Sequence, residues 1–465
     1  MSEYDICILG GGPAGYAAAL YAGSAGLKVA IVEKDVFGGC CLNRGCIPAK
    51  ALLQAAEVYR TVGHAGSFGL KLPEGETTID WPQVNKRKDG VVNQLVKGLQ
   101  GLLKKRKVTM FNSEGTITPD GKVTVDGSVI DAEHTLIVTG SVPKVFPGME
   151  LGPRVISSDE ATNSTWEQLP SSIAVIGGGV IGTEFASVYL DMGVETTLLE
   201  YMPNAVLPIG PDREVAAAVE KSLKKRGLNV VGGAKVGQLV DNGDSVTVPY
   251  EVDGAAQSIE VEQVLVAVGR TPVTEGIGLA EAGIDVDDRG FIDVDFATMR
   301  TSKEKVYALG DVVSSAGLAH VAYAEAIVAV RDILGEDPSP VDYVNIPQIV
   351  YAHPEIAWAG MTEEQVKEAG IDYEVRKHPW PGNGRSMIIG DTEGMVKIIA
   401  EANGGPIIGF HLAGPWASEL LNSGYYAVNW EATPEEVGQL IHAHPSLSEI
   451  IGETMITFSG RSLHG

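Results

Sequence analysis

The stretch Tyr4–Gly15 reads YDICILGGGPAG: an apolar strand, a glycine-rich turn and the start of a small-residue helix that runs to Gly26. A second apolar strand, Lys28–Val32, follows and ends at Glu33. The pattern G-x-G-x-x-G between a strand and a helix is typical of dinucleotide-binding folds. Its glycines let the backbone approach a pyrophosphate, whose charge is stabilised by the helix N-terminus. Glu33 then falls where a carboxylate can accept hydrogen bonds from ribose hydroxyls.

The same unit occurs a second time in the chain. An apolar strand, Ser172–Ile176, precedes the turn Gly177–Gly182, which reads GGGVIG, and a helix continues to about Met192. The next strand, Glu195–Leu199, ends at Glu200, and 23 positions separate the first glycine from the acid in both copies. Two such units in this context predict two dinucleotide sites.

Glu200 also predicts which nicotinamide dinucleotide the second site prefers. Its charge would repel a 2′-phosphate, and the residues from Tyr201 to Asp212 contain no Lys, Arg or His to offset it. The pattern therefore favours NAD over NADP. The alternative interpretation is a solvated acid at the end of a strand.

A cysteine pair lies between the two units. The stretch Gly38–Lys50 reads GGCCLNRGCIPAK, and an amphipathic helix is predicted from Ala51 to Arg60, opened by the IPAK residues. Proline is tolerated in a first helical turn, which would place Cys46 at the positive end of the helix dipole and favour its thiolate. A Cys41–Cys46 disulfide would close a very short loop and remove little unfolded-state entropy, so a structural staple is poorly placed here. Spacing alone leaves a redox pair and two free buried thiols open, and zinc would need further ligands that do not follow.

Length and composition restrict the class of protein. The chain has 465 residues, which suggests about three domains at ~150 residues each. Its net charge of −25 argues against nucleic-acid binding. No apolar run approaches the length of a membrane span, and no signal sequence is recognisable at the N-terminus. With only four cysteines, three of them between positions 40 and 46, we expect a reducing, cytoplasmic location.

Two dinucleotide units with a C-x4-C pair beside the first resemble the flavoprotein pyridine nucleotide-disulfide oxidoreductases. Further matches are Thr139-Gly140-Ser141, Val268–Pro272 and Tyr307–Asp311. The resemblance implies that the first unit holds FAD, that the second holds NAD, and that the two cysteines form a redox disulfide. It also implies that Asp311 hydrogen-bonds the ribityl chain of the flavin and that Lys50 and Glu184 lie beside the flavin ring.

Three C-terminal stretches resemble the members of that family that oxidise dihydrolipoamide: Tyr351–Ala357, Gly390–Lys397 and His442–Glu449. The expected function is oxidation of protein-bound dihydrolipoamide to lipoamide with reduction of NAD⁺. The alternative is an NADH-dependent reductase of another small disulfide, or a diaphorase-like flavoenzyme. The implied partners are lipoamide on a lipoyl carrier, components of a 2-oxo acid dehydrogenase or glycine-cleavage complex, and a second copy of the chain.

A histidine near the C-terminus is the expected base. An imidazole is suited to take a proton from a thiol near neutral pH, and the resemblance implies that His444 does so while Glu449 orients it. Glu449 has a second interpretation, because Ser446–Glu449 also fits a helix capping box. The resemblance further implies that residues 346–465 form the dimer interface and deliver His444 to the disulfide of the other subunit.

The predicted fold is α/β, with two Rossmann-like dinucleotide-binding domains and a C-terminal α+β dimerisation domain. The predicted domains are residues 1–150 (first part of the FAD domain, with the redox disulfide), 151–272 (NAD domain), 273–345 (central domain completing the FAD site) and 346–465 (interface domain). The catalytic candidates are Cys41, Cys46, Lys50, Glu184, His444 and Glu449, and no metal site is expected. The candidates for FAD are Gly10, Gly12, Pro13, Ala14, Gly15, Glu33, Lys34, Gly39, Cys40, Lys50, Gly115, Thr139, Gly140, Ser141, Asp311 and Ala319. The candidates for NAD are Gly177, Gly179, Val180, Ile181, Gly182, Glu200, Val236 and Gly269.

Overall fold

The computed structural model describes residues 2–73, 77–163 and 166–464. The strands within them are β1 (Tyr4–Leu9), β2 (Val29–Val32), β3 (Thr109–Phe111), β4 (Gly115–Ile117), β5 (Val123–Val125), β6 (Ser128–Ile130), β7 (Ala132–Ile137), β8 (Ser141–Pro143), β9 (Val155–Ser157), β10 (Ser172–Ile176), β11 (Glu195–Leu199), β12 (Asn229–Val231), β13 (Lys235–Val236), β14 (Val240–Asp241), β15 (Val246–Val252), β16 (Ala255–Val261), β17 (Gln263–Val266), β18 (Arg270–Pro272), β19 (Val306–Ala308), β20 (Gln348–Val350), β21 (Glu355–Gly360), β22 (Tyr373–Pro379), β23 (Met395–Glu401) and β24 (Ile407–Gly414). The helices are α1 (Pro13–Ser24), α2 (Gly39–Asn43), α3 (Cys46–Gly63), α4 (Trp81–Lys105), α5 (Ser158–Thr162), α6 (Val180–Asp191), α7 (Arg213–Lys225), α8 (Leu279–Ala282), α9 (Ala319–Ile333), α10 (Glu363–Glu368), α11 (Gly384–Ile389), α12 (Ala417–Asn429), α13 (Pro434–Gly438) and α14 (Glu449–Ile456).

Two five-stranded parallel sheets form the nucleotide-binding halves. Their strand orders are β19-β7-β1-β2-β3 and β9-β17-β10-β11-β12, so the second sheet repeats the arrangement of the first. In each sheet the strand before the glycine turn is central, and the strand that ends at the acid lies beside it. The predicted pair of Rossmann-like folds is confirmed.

Burial on both faces explains why these strands read as continuous apolar runs. Ile6 and Ile8 in β1 are fully buried, and each contributes about 1.5–3 kcal/mol by leaving water. Helix α1 packs against α9, and small side chains of both helices, including Ala18 and Ala326, share the core of the first half. The alanine-rich sequence of α1 is what allows α9 to pack so closely.

Some predicted boundaries were wrong. Helix α3 begins at Cys46 and ends at Gly63, whereas the predicted helix ran from Ala51 to Arg60. The helix starts earlier because Pro48 fits its first turn and already belongs to the same buried face as Leu52. Helix α1 ends at Ser24, since Gly26 takes a left-handed backbone conformation with φ +89°. The second strand starts one residue later than predicted, at Val29.

The C-terminal part is built on an antiparallel sheet in the order β20-β21-β24-β23-β22, with α12 and α14 packed against it. Lys397 in β23 is 1% exposed and joins this sheet to the second nucleotide half. Its ammonium lies 2.9 Å from Asp212, 2.7 Å from Glu214 and 2.6 Å from Glu363. Burial acts to lower the pKa of Lys397, but the three carboxylates outweigh it and raise that pKa.

The predicted domain limits stay a prediction. β19 is nonetheless part of the first sheet although it belongs to the predicted central segment, and β9 lies at the edge of the second. None of the helices in the described part of the chain combines the length and apolarity that a membrane span requires.

Candidate active site

The two cysteines lie on consecutive helices. Cys41 is in α2, and Cys46 is the first residue of α3, directly after the N-cap Gly45. Both are free thiols in this structure. The thiol of Cys41 donates a hydrogen bond to Cys46 and, with help from the positive charge of Lys50, lowers the pKa of Cys46 to about 7 against the opposing effect of burial. The same hydrogen bond and burial raise the pKa of Cys41. Cys46 is therefore the sulfur that ionises first.

Lys50, one turn along α3, forms an ion pair with Glu184 on α6. The Lys50 Nζ lies 2.6 and 2.8 Å from the two oxygens of Glu184, whose side chain is only 5% exposed. The backbone N–H of Tyr351 also donates to Glu184 at 3.0 Å, and the ammonium lies 5.2 Å from the centroid of the Tyr351 ring. Although burial acts to lower the pKa of Lys50, the charge of Glu184 raises it, so Lys50 stays positive. The pair thus connects the cysteine helix to the helix of the second nucleotide unit.

The first glycine turn fits a bound dinucleotide. A Cβ at Gly10 would lie 2.3 Å from a backbone oxygen of Val138, and one at Gly15 would lie 2.0 Å from the oxygen of Gly10, so both positions require glycine. A Cβ at Gly12 would meet only Gly39, at 3.8 Å, and no side chain caps the N-terminus of α1. The space and the backbone N–H groups that a pyrophosphate needs are present.

Glu33 lies at the end of β2, as predicted. It accepts hydrogen bonds from the backbone N–H groups of Gly11 (2.7 Å) and Asp35 (2.9 Å). A cleft beside it is lined by five of the residues predicted to hold FAD: Gly10, Glu33, Lys34, Gly115 and Thr139. The shape and donor set of this half therefore fit the adenosine and pyrophosphate parts of FAD.

The second turn has the same geometry. A Cβ at Gly177 would lie 2.4 Å from the oxygen of Ala267, and one at Gly182 would lie 1.8 Å from the oxygen of Gly177, whereas a Cβ at Gly179 would meet nothing within 4 Å. Glu200 accepts hydrogen bonds from the N–H groups of Gly178 (2.7 Å) and Met202 (2.8 Å). This donor set and open space fit a second dinucleotide.

Three further flavin candidates converge around a residue whose side chain was assigned no role in the sequence analysis. Ser141 donates to Asp311 at 2.6 Å, and Arg270 donates to Ser141 at 2.7 Å and to the sulfur of Cys40 at 3.4 Å. Asp159 lies 3.9 Å from the same sulfur. Arg270 thus contacts both Ser141 and Cys40 and links the members of this cluster.

The remaining candidates occupy turns and helix starts. Gly39 begins α2, where a Cβ would lie 2.6 Å from the Cα of Gly12, and Gly140 has φ +73° between β7 and β8. The others are Pro13 and Ala14 at the start of α1, Val180 and Ile181 at the start of α6, Ala319 at the start of α9, Val236 in β13 and Gly269 just before β18.

His444 and Glu449 form the predicted pair. The Nδ1 atom of His444 lies 2.8 Å from Glu449 Oε1, while the other oxygen accepts the backbone N–H of Ser446 at 2.7 Å. Glu449 therefore contacts His444 with one oxygen and the Ser446 N–H with the other. The predicted capping box is not formed, because α14 begins at Glu449 itself, which makes the residue N1 and not N3. The side chain of His444 is 78% exposed, and within the described residues no hydrogen bond or ion pair joins it to Cys41 or Cys46.

The structure also pairs two tyrosines that the sequence analysis did not identify. The hydroxyl oxygens of Tyr16 on α1 and Tyr323 on α9 are 2.5 Å apart. The two residues are 307 positions apart in the sequence, so no local pattern could have paired them.

Comparisons with known proteins agree with this architecture. The family described as "Pyridine nucleotide-disulphide oxidoreductase" matches residues 4–326, and its dimerisation domain matches residues 346–455. A dihydrolipoyl dehydrogenase of Bacillus subtilis is 39% identical, over 100% of this chain and 99% of its own length. One from Thermus scotoductus is 40% identical, with the same coverage. Among solved structures, LpdA from Mycobacterium tuberculosis has a TM-score of 0.90 at 27% identity, over 97% of this chain and 99% of its own. The HOCl-induced flavoprotein disulfide reductase RclA from Escherichia coli has a TM-score of 0.86 at 27% identity, over 97% and 99% of the two chains.

Proposed function

The chain belongs to the pyridine nucleotide-disulphide oxidoreductase family, and we propose that it oxidises protein-bound dihydrolipoamide to lipoamide while reducing NAD⁺. The observation that carries this proposal is the Cys41–Cys46 pair on consecutive helices, with Cys46 at the N-terminus of α3 and the Lys50–Glu184 ion pair one helical turn away. Relatives named dihydrolipoyl dehydrogenase that match over their full length support the choice of substrate. FAD and NAD are the cofactors.

The chain's own residues handle the sulfur and proton chemistry. His444, oriented by Glu449, takes the proton from a thiol of dihydrolipoamide. In the oxidised protein, where a disulfide joins Cys41 to Cys46, the resulting thiolate attacks the sulfur of Cys41. A substrate–Cys41 bond forms, the Cys41–Cys46 bond breaks, and Cys46 leaves as the thiolate that its low pKa makes favourable. Lys50 holds a positive charge near that thiolate. When bound, FAD supplies the electron carrier between the cysteine pair and NAD⁺.

Glu200 supports NAD as the acceptor, and not NADP. The carboxylate lies against the second glycine turn, and the segment Tyr201–Asp212 carries no cationic side chain that could bind a 2′-phosphate. The second turn is therefore the NAD site in this proposal.

A homodimer completes the active site. The match to the dimerisation domain covers residues 346–455, and His444 lies in that part with its side chain open to solvent. In the dimer each His444 acts on the cysteine pair of the partner subunit.

The protein works in the cytoplasm. Its net charge of −25 favours docking to a basic domain of a 2-oxo acid dehydrogenase or glycine-cleavage complex. Such docking should weaken as salt rises, and insensitivity to salt would contradict it.

The proposal is tested by comparing NADH-dependent reduction of lipoamide and of glutathione disulfide by the purified flavin-loaded protein. We expect lipoamide to be strongly preferred, and dihydrolipoamide to reduce NAD⁺ in the reverse direction. The competing function is a reductase of another small disulfide, which the similarity to RclA favours. Preference for glutathione disulfide would refute our assignment in favour of that alternative.

A further inference from the structure

Glu325 on α9 is a fully buried acid that lies outside the groups assigned to the sulfur chemistry. It is 0% exposed and accepts hydrogen bonds from two distant parts of the chain. The backbone N–H of Gly310 donates to its Oε2 at 2.7 Å, and the hydroxyl of Tyr343 donates to its Oε1 at 2.9 Å. A carboxyl group buried in this way is stable only when donors of this kind satisfy its oxygens, so both contacts belong to the folded arrangement.

The hydrogen bond to Gly310 fixes the turn that carries Asp311. Gly310 has φ +76°, and its carbonyl accepts the N–H of Val313 at 3.0 Å, which closes the turn around Asp311. A Cβ at Gly310 would lie 3.1 Å from the Cβ of Ala14 and 3.7 Å from the Cβ of Ala322. The turn is therefore enclosed between the first turns of α1 and α9, with Glu325 bonded to its backbone from below.

Asp311 offers one oxygen to a ligand at the predicted flavin site. Its Oδ2 accepts the hydroxyl of Ser141 at 2.6 Å, and the guanidinium of Arg270 lies 3.9 Å from the same oxygen. Among the residues that the structure describes, no hydrogen bond uses the other oxygen, Oδ1. The place of that oxygen depends on the backbone of the turn, which the contact between Gly310 and Glu325 holds.

Tyr343 supports Glu325 from a different segment of the chain. Its ring packs edge-to-face against Phe296, with the centroids 5.3 Å apart. Tyr343 lies three residues before the match to the dimerisation domain begins at residue 346. Glu325 thus connects the Asp311 turn to the segment that leads into the C-terminal part.

We propose that Glu325 is a positioning residue for FAD: through the backbone of Gly310 it sets the place of Asp311, and Tyr343 holds Glu325 in turn. This inference rests on the part of the proposed function that assigns FAD to the first nucleotide-binding half, and not on the identity of the disulfide substrate. A hydrogen bond to a charged group changes an equilibrium or a rate by roughly 10- to 100-fold. Loss of the carboxylate should weaken FAD binding by a factor of that size.

The test uses the flavin-loaded protein and three variants: Glu325→Met, Glu325→Gln and Tyr343→Phe. Glu262→Met is the matched control, because Glu262 in the second nucleotide-binding half also accepts one backbone N–H and one hydroxyl, both from Ser171, at 2.7 and 2.8 Å. The first readout is the rate of FAD release, followed by the rise in flavin fluorescence. The second is NADH-driven reduction of a dye, measured with and without an excess of free FAD.

We expect Glu325→Met to release FAD roughly 10- to 100-fold faster than the Glu262 control. Glu325→Gln should release it more slowly than the Met variant, because the amide oxygen can still accept the N–H of Gly310. Tyr343→Phe should give a smaller increase than Glu325→Met, since the bond to Gly310 remains. Free FAD in excess should restore dye reduction by the Met variant to the level of the control.

Release of FAD from Glu325→Met at the rate of the control would overturn the inference, and so would equal release from the Met and Gln variants. Dye reduction that excess FAD does not restore would also count against it, because a general loss of structure is not repaired by the cofactor. If the Met variant does not fold, Tyr343→Phe decides: release at the rate of the control overturns the inference. None of these measurements uses lipoamide, so failure of the proposed substrate would be seen separately.

Discussion

Replacing Cys41 tests the origin of the acidity of Cys46 most directly. The hydrogen bond from Cys41 is the largest influence on the pKa of Cys46, which stands at about 7 instead of 9.0. In Cys41→Ala that donor is gone, and burial, which raises the pKa, is opposed chiefly by Lys50. We expect the pKa to return to about 9, so that the thiolate fraction at pH 7 falls from about one half to about 1%.

The assay is the rate of alkylation of Cys46 by iodoacetamide between pH 5 and 10, followed by peptide mass in the reduced protein. Cys41→Ser is the matched control, because its hydroxyl can still donate, and its midpoint should stay closer to 7. Cys7 gives no background, since burial raises its pKa to about 12. A midpoint near 7 in the alanine variant would show that the hydrogen bond is not the cause.

Three other substitutions test the contact between the C-terminal sheet and the second nucleotide-binding half, the second glycine turn, and the catalytic base. Lys397→Met leaves the buried carboxylate of Asp212 without its ammonium partner and should lower the free energy of unfolding by about 3–5 kcal/mol at pH 7. Although burial acts to raise the pKa of Asp212, the hydrogen bond from Lys397 helps to hold that pKa below its usual value, so this loss should shrink as the pH falls through the range in which Asp212 takes up a proton, and a pH-independent difference in thermal unfolding would contradict the assignment. Gly179→Ala should weaken NADH binding more than about tenfold in a fluorescence titration with an unchanged melting temperature, because its Cβ enters only open space. His444→Gln should slow dihydrolipoamide oxidation roughly 10²- to 10⁴-fold and spare dye reduction by NADH, whereas equal losses in both assays would mean that the base is misassigned.

The sequence predicted correctly those parts of the fold that are encoded by residues close together in the chain. The glycine turns and their acids, Glu33 and Glu200, were found because strand, turn and helix follow one another within 25 residues or so. Helix ends were less accurate: α3 extends back to Cys46, and the sequence signal at Pro48 gave the first turn but not the first residue. The two contacts of Glu449, with His444 and with the N–H of Ser446, could also be anticipated, since a carboxylate has two oxygens.

Contacts between distant segments could not be predicted in this way. Arg270 was quoted only as part of a motif, yet it joins Cys40 to Ser141 because β18 pairs with β8 across the molecule. The tyrosine pair depends on the packing of α1 against α9, which no spacing rule encodes. The backbone N–H that Tyr351 donates to Glu184 likewise depends on how the C-terminal sheet meets α6.

Glu33 and Glu200 have a consequence for how mutants at these positions are interpreted. Each already accepts one backbone N–H from the glycine turn it faces (Gly11 or Gly178) and one from the residue two positions after it (Asp35 or Met202), so the turn is held in its binding shape before a nucleotide arrives. Alanine at either position would remove this internal brace as well as any bond to a ribose. The resulting drop in affinity would include the cost of ordering a loosened loop, and would overstate the strength of the sugar contact itself.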